Sequence, residues 1–466
     1  MSGSTTRNFK SNAARELAND TLRAALTKSK GHFTEGRSTA AENLPEFEAL
    51  RDQSRDIKNH TIEHLDFYLE AYEEKVRESG GHVHWARTAE DARQIVLEIC
   101  RSVDAKAVNK GKSMISEECE INEMLEANGI RAIETDLGEY IIQLRGEKPS
   151  HIIAPAVHLT KGQVEESFRA NHTHLDPDRV LEEPPTLLDE ARTILRKKYF
   201  EAEVGMTGAN LLIAETGSSV IVTNEGNGDL SQLIPKVHIV LASVEKIVPT
   251  LEDAATILRV LARSATGQEF SSYTTLSTGP KREGDTDGPE QYHVILLDNG
   301  RTDMIGTEFQ EMLRCIRCGA CQSACPVYGA VGGHARVSVV GGGRETGAPS
   351  HGARRRAHEG RREALLQRKG GDLNARHGRA VLRVPRAGRG GHAPRGGGEA
   401  LLETQPRGVA LRRAKYGASY VFFRLVSFLK RRRRARTRRT RRTRRRSNPK
   451  SVDTRPFLNP VPSRAR

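Results

Sequence analysis

The sequence predicts an α/β protein with a mainly parallel sheet, and two features support that prediction. Between about residues 80 and 300, short β-type segments alternate with amphipathic helical segments, a rhythm typical of βαβ units. The residues before them place apolar side chains at helical spacing. We therefore expect a helical arm over 1–75, an α/β domain over 76–300, a cysteine-bearing module over 301–335 and a tail over 336–466.

Each expected element has a local signal. The helix expected over 89–101 follows Thr88, a residue type that caps helix N-termini. The helix expected over 116–128 precedes Gly129, which suits a C-cap. A further helix is expected over 304–314, leading into the cysteines. The remaining apolar segments are short and lie between turn residues, so we expect strands over 82–85, 105–109, 130–135, 150–154 and 219–222.

Two loops of the α/β domain carry candidate chemistry. The run Lys110-Gly111-Lys112-Ser113 lies between a strand and a helix, where backbone amides favour an anion. It lacks the glycine spacing of a P-loop, and Ser113 or Ser116 acting as a plain N-cap is the simpler interpretation. The second candidate is the pair Glu215 and Glu225, which flanks an expected strand. These carboxylates either line a small-molecule cleft or are solvated turn residues.

Isolated histidines and cysteines in the same domain suggest structural roles. His158, His238 and His293 are singletons in the sequence, and we expect each to be hydrogen-bonded within the fold rather than to bind a metal. Cys100 and Cys119 lie in expected helices, where a buried and unreactive thiol is the ordinary state.

The charge is divided between two parts of the chain. The total is +15, but residues 336–466 hold 37 Lys and Arg against 7 Asp and Glu, which leaves 37 against 52 in residues 1–335. The body is therefore acidic, and the tail alone gives the chain its basic character. Residues 1–20 are polar and the longest apolar run, 416–429, is interrupted by Arg424. We expect a cytoplasmic protein without a membrane span.

The four clustered cysteines are the strongest functional signal. Cys315, Cys318, Cys321 and Cys325 follow the pattern C-x2-C-x2-C-x3-C-P, which is the spacing of a bacterial ferredoxin loop. A structural zinc site is the alternative, but zinc usually takes two separated pairs of ligands. We expect these four residues to ligate the iron of a 4Fe-4S cluster.

Several motifs together resemble the lactate utilization protein B family. They are KGKSMISEE over 110–118, ETDLGEYIIQL over 134–144, SHIIAPAVH over 150–158, AETG over 214–217, TNEGNG over 223–228 and the cysteine loop with Gly332-Gly333-His334-Ala335. The resemblance covers essentially all of 1–335. It implies an LUD domain, related in fold to the ribose-phosphate isomerase and CoA-transferase group, joined to a ferredoxin-type module. It also implies action with two other lactate utilization proteins in oxidising L-lactate to pyruvate, with an unknown electron acceptor.

The sequence departs from the family after Ala335. By the resemblance, helical sequence and a second C-x2-C-x2-C-x3-C-P motif should follow, and the family would carry two 4Fe-4S clusters. This chain has no cysteine after Cys325, so it can supply ligands for at most one. Residues 336–466 are rich in Arg and Gly without sustained periodicity, so we expect a disordered tail. A frameshift near codon 336 is our hypothesis, and a basic tail that binds nucleic acid through 430–446 is the less favoured alternative.

Three function classes follow from these observations. The cysteine loop favours an iron–sulfur electron-transfer component of a multi-protein complex that oxidises lactate. A second class is an isomerase- or transferase-like enzyme in which Glu215 or Glu225 acts on a small acid in the LUD cleft. A third is a nucleic-acid-binding protein acting through the tail. The residues that would remove hydride from lactate are not identifiable from the sequence.

Overall fold

The computed structural model describes residues 9–333. The helices are α1 (Phe9–Leu17), α2 (Asp20–Glu42), α3 (Phe47–Glu63), α4 (Leu65–Glu78), α5 (Ala89–Ser102), α6 (Met114–Glu118), α7 (Ile121–Ala127), α8 (Leu137–Arg145), α9 (Lys161–Asn171), α10 (Pro184–Glu201), α11 (Asn227–Leu233), α12 (Leu251–Thr266), α13 (Ala320–Ala324) and α14 (Pro326–Val331). The strands are β1 (His82–Ala86), β2 (Ala107–Gly111), β3 (Arg131–Glu134), β4 (Val204–Thr207), β5 (Leu211–Ile213), β6 (Ser218–Thr223), β7 (Val237–Ser243), β8 (Ile247–Val248), β9 (Tyr273–Ser277) and β10 (Gln291–Leu297).

The larger sheet contains six parallel strands in the order β1-β10-β7-β4-β2-β3. Every residue of the central strand β7 is buried, as expected when helices or other layers cover both faces of a parallel sheet. Strand β3 lies on one side of β2, whereas the later strands β4, β7 and β10 lie on the other. The strand order therefore reverses at β2, and the carboxyl ends of the strands there are where α/β folds usually bind ligands.

A smaller four-stranded sheet has the order β8-β5-β6-β9. Strand β5 pairs with β6 antiparallel and with β8 parallel, and β9 pairs antiparallel with the other side of β6. Helix α12 packs on this sheet through a core that includes Leu211, Val220, Ile257 and Leu261. The α/β expectation is confirmed, and this mixed sheet adds to it.

Separate cores cover the two faces of the larger sheet. Helices α5, α6 and α7 contribute Val96, Ile115 and Leu125 to a core on one face. On the other face, helix α4 contributes Leu69 and Tyr72 to a second core with β7 and β10. A third core lies beneath α8, α9 and α10. The alternation of apolar residues along these helices is what the sequence pattern had indicated.

Local capping signals fix several helix starts. Thr88 accepts a hydrogen bond from the Asp91 amide, and the Asp91 carboxylate accepts one from the Thr88 amide, forming a capping box. This confirms Thr88 as the N-cap of α5. Ser113 is the N-cap of α6, because its hydroxyl oxygen accepts from the Ser116 amide at 3.2 Å. This confirms Ser113 as an N-cap.

The N-terminal helices pack between the α/β domain and the cysteine segment. Helices α2 and α3 lie against α12, with Phe47, Leu50 and Val260 forming a small core. Helix α2 also contacts α13 and α14, and α1 contacts α14. The first described helices thus support the segment that carries the cysteines.

Three expected elements are wrong. Residues 150–154 form no strand, because the Ile152 amide binds the Gln322 side chain at 3.2 Å instead of a neighbouring strand. The helix expected over 116–128 is divided into α6 and α7, since Glu120 adopts a left-handed φ of 52° between them. The helix expected over 304–314 is replaced by two 3₁₀ turns, with Gly306 at φ 77° between them.

The tail expected over 336–466 lies outside the described residues. Within residues 9–333, helices that combine the length and apolar character needed to span a bilayer are absent.

Candidate iron–sulfur site

The cysteine loop begins where a 3₁₀ turn, Gln310–Arg314, ends at Cys315. Two left-handed residues then turn the chain, Arg317 at φ 57° and Gly319 at φ 73°. Glycine suits the second position for two reasons: its positive φ, and the Ile152 side chain, which would lie 3.1 Å from an added Cβ. The loop continues into α13 and then, after Cys325, into α14 with Pro326 at its first position.

A backbone amide points at one of the sulfurs. The Arg317 amide donates to Cys315 Sγ at 3.4 Å. Burial raises the pKa of the Cys318 thiol, and the nearby Cys315 and Cys321 raise it further. These three thiols are therefore close enough to interact electrostatically. Hydrogen bonds to sulfur favour the thiolate form that binds iron.

The loop presents some of its thiols to solvent and keeps others partly covered. Cys315 and Cys321 are exposed, whereas Cys318 and Cys325 are half-buried. Ile316 and Cys318 pack against the core between α12 and the smaller sheet. The loop is thus attached firmly to the α/β domain while two thiols face outward.

Residues 150–154, which we expected to form a strand, pack against the cysteine loop instead. His151 Nε2 lies 3.1 Å from the Ser323 hydroxyl, and its ring stacks on Phe33 of α2 with centroids 5.3 Å apart. Tyr328 of α14 meets the same ring edge-on. Burial lowers the pKa of His151 to about 4, so the ring is neutral at pH 7. His151 therefore acts as a packing centre for the loop.

A chain of buried charges lies beside Cys315. After β7 the backbone makes a 3₁₀ turn, Val244–Lys246, which buries Glu245 and Lys246. Arg301 Nε lies 3.0 Å from Glu245 Oε2, and the Arg301 guanidinium also donates to both oxygens of Glu118, at 3.0 and 2.7 Å. Arg317 of the cysteine loop lies 3.8 Å from the same Glu118 carboxylate. The loop is therefore linked to the α/β domain by ion pairs.

The donor set fits a cubane cluster. A 4Fe-4S cluster takes one thiolate at each iron, so its ligands surround a cluster rather than a single ion. The left-handed turns at Arg317 and Gly319 bring Cys315, Cys318 and Cys321 near enough to interact electrostatically. Among residues 9–333, groups of three or more His, Cys, Asp or Glu side chains arranged for a single metal ion are not found.

A second polar region lies where the strand order reverses. Lys112 forms a close ion pair with Asp136 and lies 3.5 Å from Glu225, so the structure brings the two candidate loops together. Asn227 is buried, and neither of its amide atoms has a partner among residues 9–333. Its Nδ2 would lie 3.8 Å from a Cβ placed on Gly111. These side chains form a polar cluster at the carboxyl end of β2.

The other candidate side chains have structural partners. Glu215 accepts a hydrogen bond from the Leu251 amide at the start of α12, at 3.2 Å, and so lies at a helix N-terminus. His158 bonds to Glu147 at 2.9 Å, His238 to Thr207 at 2.9 Å and His293 to His84 at 3.0 Å. Cys100 and Cys119 are buried, and burial raises the pKa of each thiol to about 12. Both thiols are therefore protonated and unreactive at pH 7.

Sequence reasoning missed the buried charges beneath the loop. Lys58, Glu118, the adjacent pair Glu245 and Lys246, and Arg301 come from four distant parts of the chain, and each looks like an ordinary surface charge. One signal was available for two of them. Glu245 and Lys246 interrupt a long apolar run that extends from β7 into β8, and a charged pair inside such a run indicates buried partners.

Comparison with known proteins agrees with the fold and the loop. The LUD domain family matches residues 69–297, and the 4Fe-4S dicluster domain family matches residues 311–370. Lactate utilization protein B of Bacillus subtilis strain 168 is 44% identical over 337 residues, which cover 72% of this chain and 69% of that protein. Its counterpart in Geobacillus sp. strain WCH70 is 44% identical over 336 residues, covering 72% and 70%.

A solved structure was also matched. A DUF162 family protein from Deinococcus radiodurans is 17% identical, with 50% of this chain and 98% of that chain covered and a TM-score of 0.26. A likeness at that TM-score adds nothing to the assignment.

The α/β fold and the cysteine loop define the class, an LUD-domain protein that carries a 4Fe-4S dicluster-type segment. The close relatives define the family more narrowly. The chain belongs to the lactate utilization protein B family. Since its last cysteine is Cys325, the chain supplies ligands for at most one 4Fe-4S cluster.

Proposed function

We propose that this chain is an iron–sulfur electron-transfer component of a multi-protein system that oxidises L-lactate to pyruvate. Membership of the family supports a role in lactate utilization. The observation that carries the finer proposal is the cysteine loop, which packs on the α/β domain through Ile316 and Cys318 and directs the Arg317 amide at Cys315. When bound there, a 4Fe-4S cluster supplies one-electron transfer.

Cys315, Cys318 and Cys321 are the proposed ligands of one cluster. In the two-cluster ferredoxin arrangement, the cysteine before proline, here Cys325, ligates the other cluster. Oxidation of lactate to pyruvate releases two electrons and two protons, which a one-electron carrier cannot accept alone. The family resemblance implies two other lactate utilization proteins, and we propose them as the partners that handle the substrate and pass electrons to a further acceptor.

Metal and sulfide analysis of the full chain tests the ligation. After reconstitution without oxygen, the parent should be brown and contain iron and acid-labile sulfide. Cys318→Ser should lose most of both, whereas Cys100→Ser, which changes a buried cysteine in α5, should keep them. Stoichiometric zinc without sulfide, or iron retained by Cys318→Ser, would contradict the proposal.

A second candidate function is an isomerase- or transferase-like reaction on a small acid in the LUD domain. The contact of Lys112 with Glu225, beside the buried amide of Asn227, favours it. Turnover of a small acid that survives replacement of all four clustered cysteines by serine, and that is lost in Glu225→Gln, would favour this function over electron transfer. We assign Glu215 no role in this reaction, because its carboxylate accepts a hydrogen bond at the start of α12.

A further inference from the structure

Two lysines lie buried near the cysteine loop, one in the N-terminal helical arm and one in the α/β domain. Lys58 of α3 is 2% exposed and Lys246, after β7, is 3% exposed. Lys58 Nζ donates to the Glu245 carbonyl oxygen, which fixes α3 to the turn at the carboxyl end of β7. Arg314, the residue before Cys315, donates to the side chain of Asn59, the residue after Lys58, at 2.6 Å. A thiolate at Cys315 would favour the charged form of both lysines.

Two arginines and two carboxylates lie near these lysines. Arg301 contacts both Glu118 and Glu245, at 2.7 and 3.0 Å, and Arg317 of the cysteine loop lies 3.8 Å from Glu118. Lys58 donates to the backbone carbonyl oxygen of Glu245 rather than to its carboxylate. The carboxylates of this group are therefore shared with the arginines.

A buried cation is costly unless negative charge lies near it. Burial lowers the pKa of Lys58 to about 8, and burial with the nearby Arg317 lowers that of Lys246 to about 8. Both values remain above 7, so both ammonium groups are mainly protonated at neutral pH. Ligand thiolates and their cluster carry negative charge, and the potential of an iron–sulfur cluster depends on the charges around it.

We infer that Lys58 and Lys246 form a buried cation pair that stabilises negative charge at the Cys315 side of the loop and so raises the reduction potential of the bound cluster. The inference rests on the proposed ligation by the cysteine loop. The relevant step is a one-electron reduction: one electron enters, no bond is broken and the negative charge increases by one unit. Charge in a buried setting acts more strongly than at the surface, because water and salt screen it less.

Redox titration of the reconstituted full chain tests this inference, with dithionite as the electron donor and the spin signal of the reduced protein as the readout. Lys58→Met and Lys246→Met should each shift the midpoint potential to more negative values, and the double variant should shift it further. Lys246→Arg keeps the charge and should stay near the parent. Lys30→Met removes an exposed cation of α2, near Gly329 of α14, and should leave the potential unchanged.

A second readout is the rate at which iron passes to a chelator. Both methionine variants should release iron faster than the parent, while Lys30→Met and Lys246→Arg should not. If dithionite does not reduce the parent, the rate of iron release tests the inference by itself.

The possible failures are distinguishable. A parent that binds no iron and sulfide refutes the proposed ligation itself. A parent that binds them, with methionine variants whose potential and iron release equal those of the parent, overturns the inference about the lysines. Loss of folding in both variants, seen by circular dichroism, would assign the lysines to the stability of the domain instead and would also overturn it.

Discussion

Glu245 offers the sharpest test of the buried charges. The side chain is 6% exposed, and although burial alone would raise its pKa, the cations Arg301, Lys246 and Arg317 lower it from 4.5 to about 2. A shift of that size corresponds to roughly 3 kcal/mol of stability at pH 7, because one unit is worth about 1.4 kcal/mol. Breaking a buried ion pair costs about 3–5 kcal/mol, so Glu245→Gln should lower the free energy of unfolding by about 3 kcal/mol.

The pH dependence has a definite sign. The folded-state pKa of Glu245 is lowered, so its contribution is fully present above the unfolded value near 4.5 and is lost as the pH falls toward 2. The difference between parent and Glu245→Gln should therefore be largest at pH 7 and decrease to roughly half near pH 3. Using the difference removes the effects of other titrating groups, such as His238 and His293, which both proteins share.

Urea unfolding at several pH values, followed by circular dichroism, measures both quantities. Glu74→Gln is the matched control, because Glu74 is an exposed carboxylate on α4 and should change stability by less than about 0.5 kcal/mol. A loss below about 1 kcal/mol at pH 7, or a difference that stays constant from pH 7 to pH 3, would refute the reasoning.

The remaining predictions concern two glycines and the reading frame. A Cβ on Gly205 of β4 would lie 1.8 Å from the Ser231 carbonyl oxygen, so Gly205→Ala should reduce the free energy of unfolding by more than about 3 kcal/mol in urea titrations. Gly319→Ala should reduce the iron bound after reconstitution, because it strains a left-handed residue and presses on Ile152. Translation of the gene in the other frames after Ala335 should show a second C-x2-C-x2-C-x3-C-P motif, and its absence from both frames would end the frameshift hypothesis.

The two glycine predictions have controls within the chain. Gly162 lies in α9 with open space around its Cα, so Gly162→Ala should not destabilise the protein. Gly146 has a left-handed φ of 62° and no neighbour within 4 Å, so Gly146→Ala should cost only about 1 kcal/mol and leave iron binding unchanged. Equal losses in Gly205→Ala and Gly162→Ala, or in Gly319→Ala and Gly146→Ala, would contradict the steric argument.

The fold class was predictable because its signals are local. Thr88 followed by Asp91 forms the capping box of α5, and the alternation of strands and helices required only short-range patterns. The strand expected over 150–154 failed for the opposite reason. Its apolar residues pack against a segment about 170 residues away, where Ile152 meets Gln322 and His151 meets Ser323. A pattern read along the chain contains no information about such a partner.

The candidate site also has one part that the sequence predicts and another that only the fold reveals. The spacing of Cys315, Cys318 and Cys321 identified the loop, because one short segment carries all the ligands it can offer. The lysines and the Glu118–Arg301–Glu245 ion pairs come from four distant segments, and only the fold brings them together. The polar cluster at Lys112 is intermediate, since the sequence indicates each of its loops but not their contact at 3.5 Å.

The number of cysteine ligands limits how many iron–sulfur clusters this chain can bind alone. Three thiols of the run are near enough to interact electrostatically, and the fourth cysteine lies at the start of α14. In a two-cluster module the fourth ligand of the first cluster comes from the second motif, and this sequence has no cysteine after Cys325. One iron of the cluster would then lack a cysteine and be prone to dissociate. We therefore expect at most about four irons per chain, released readily to a chelator, and eight irons per chain would show that ligands come from outside the cysteine run.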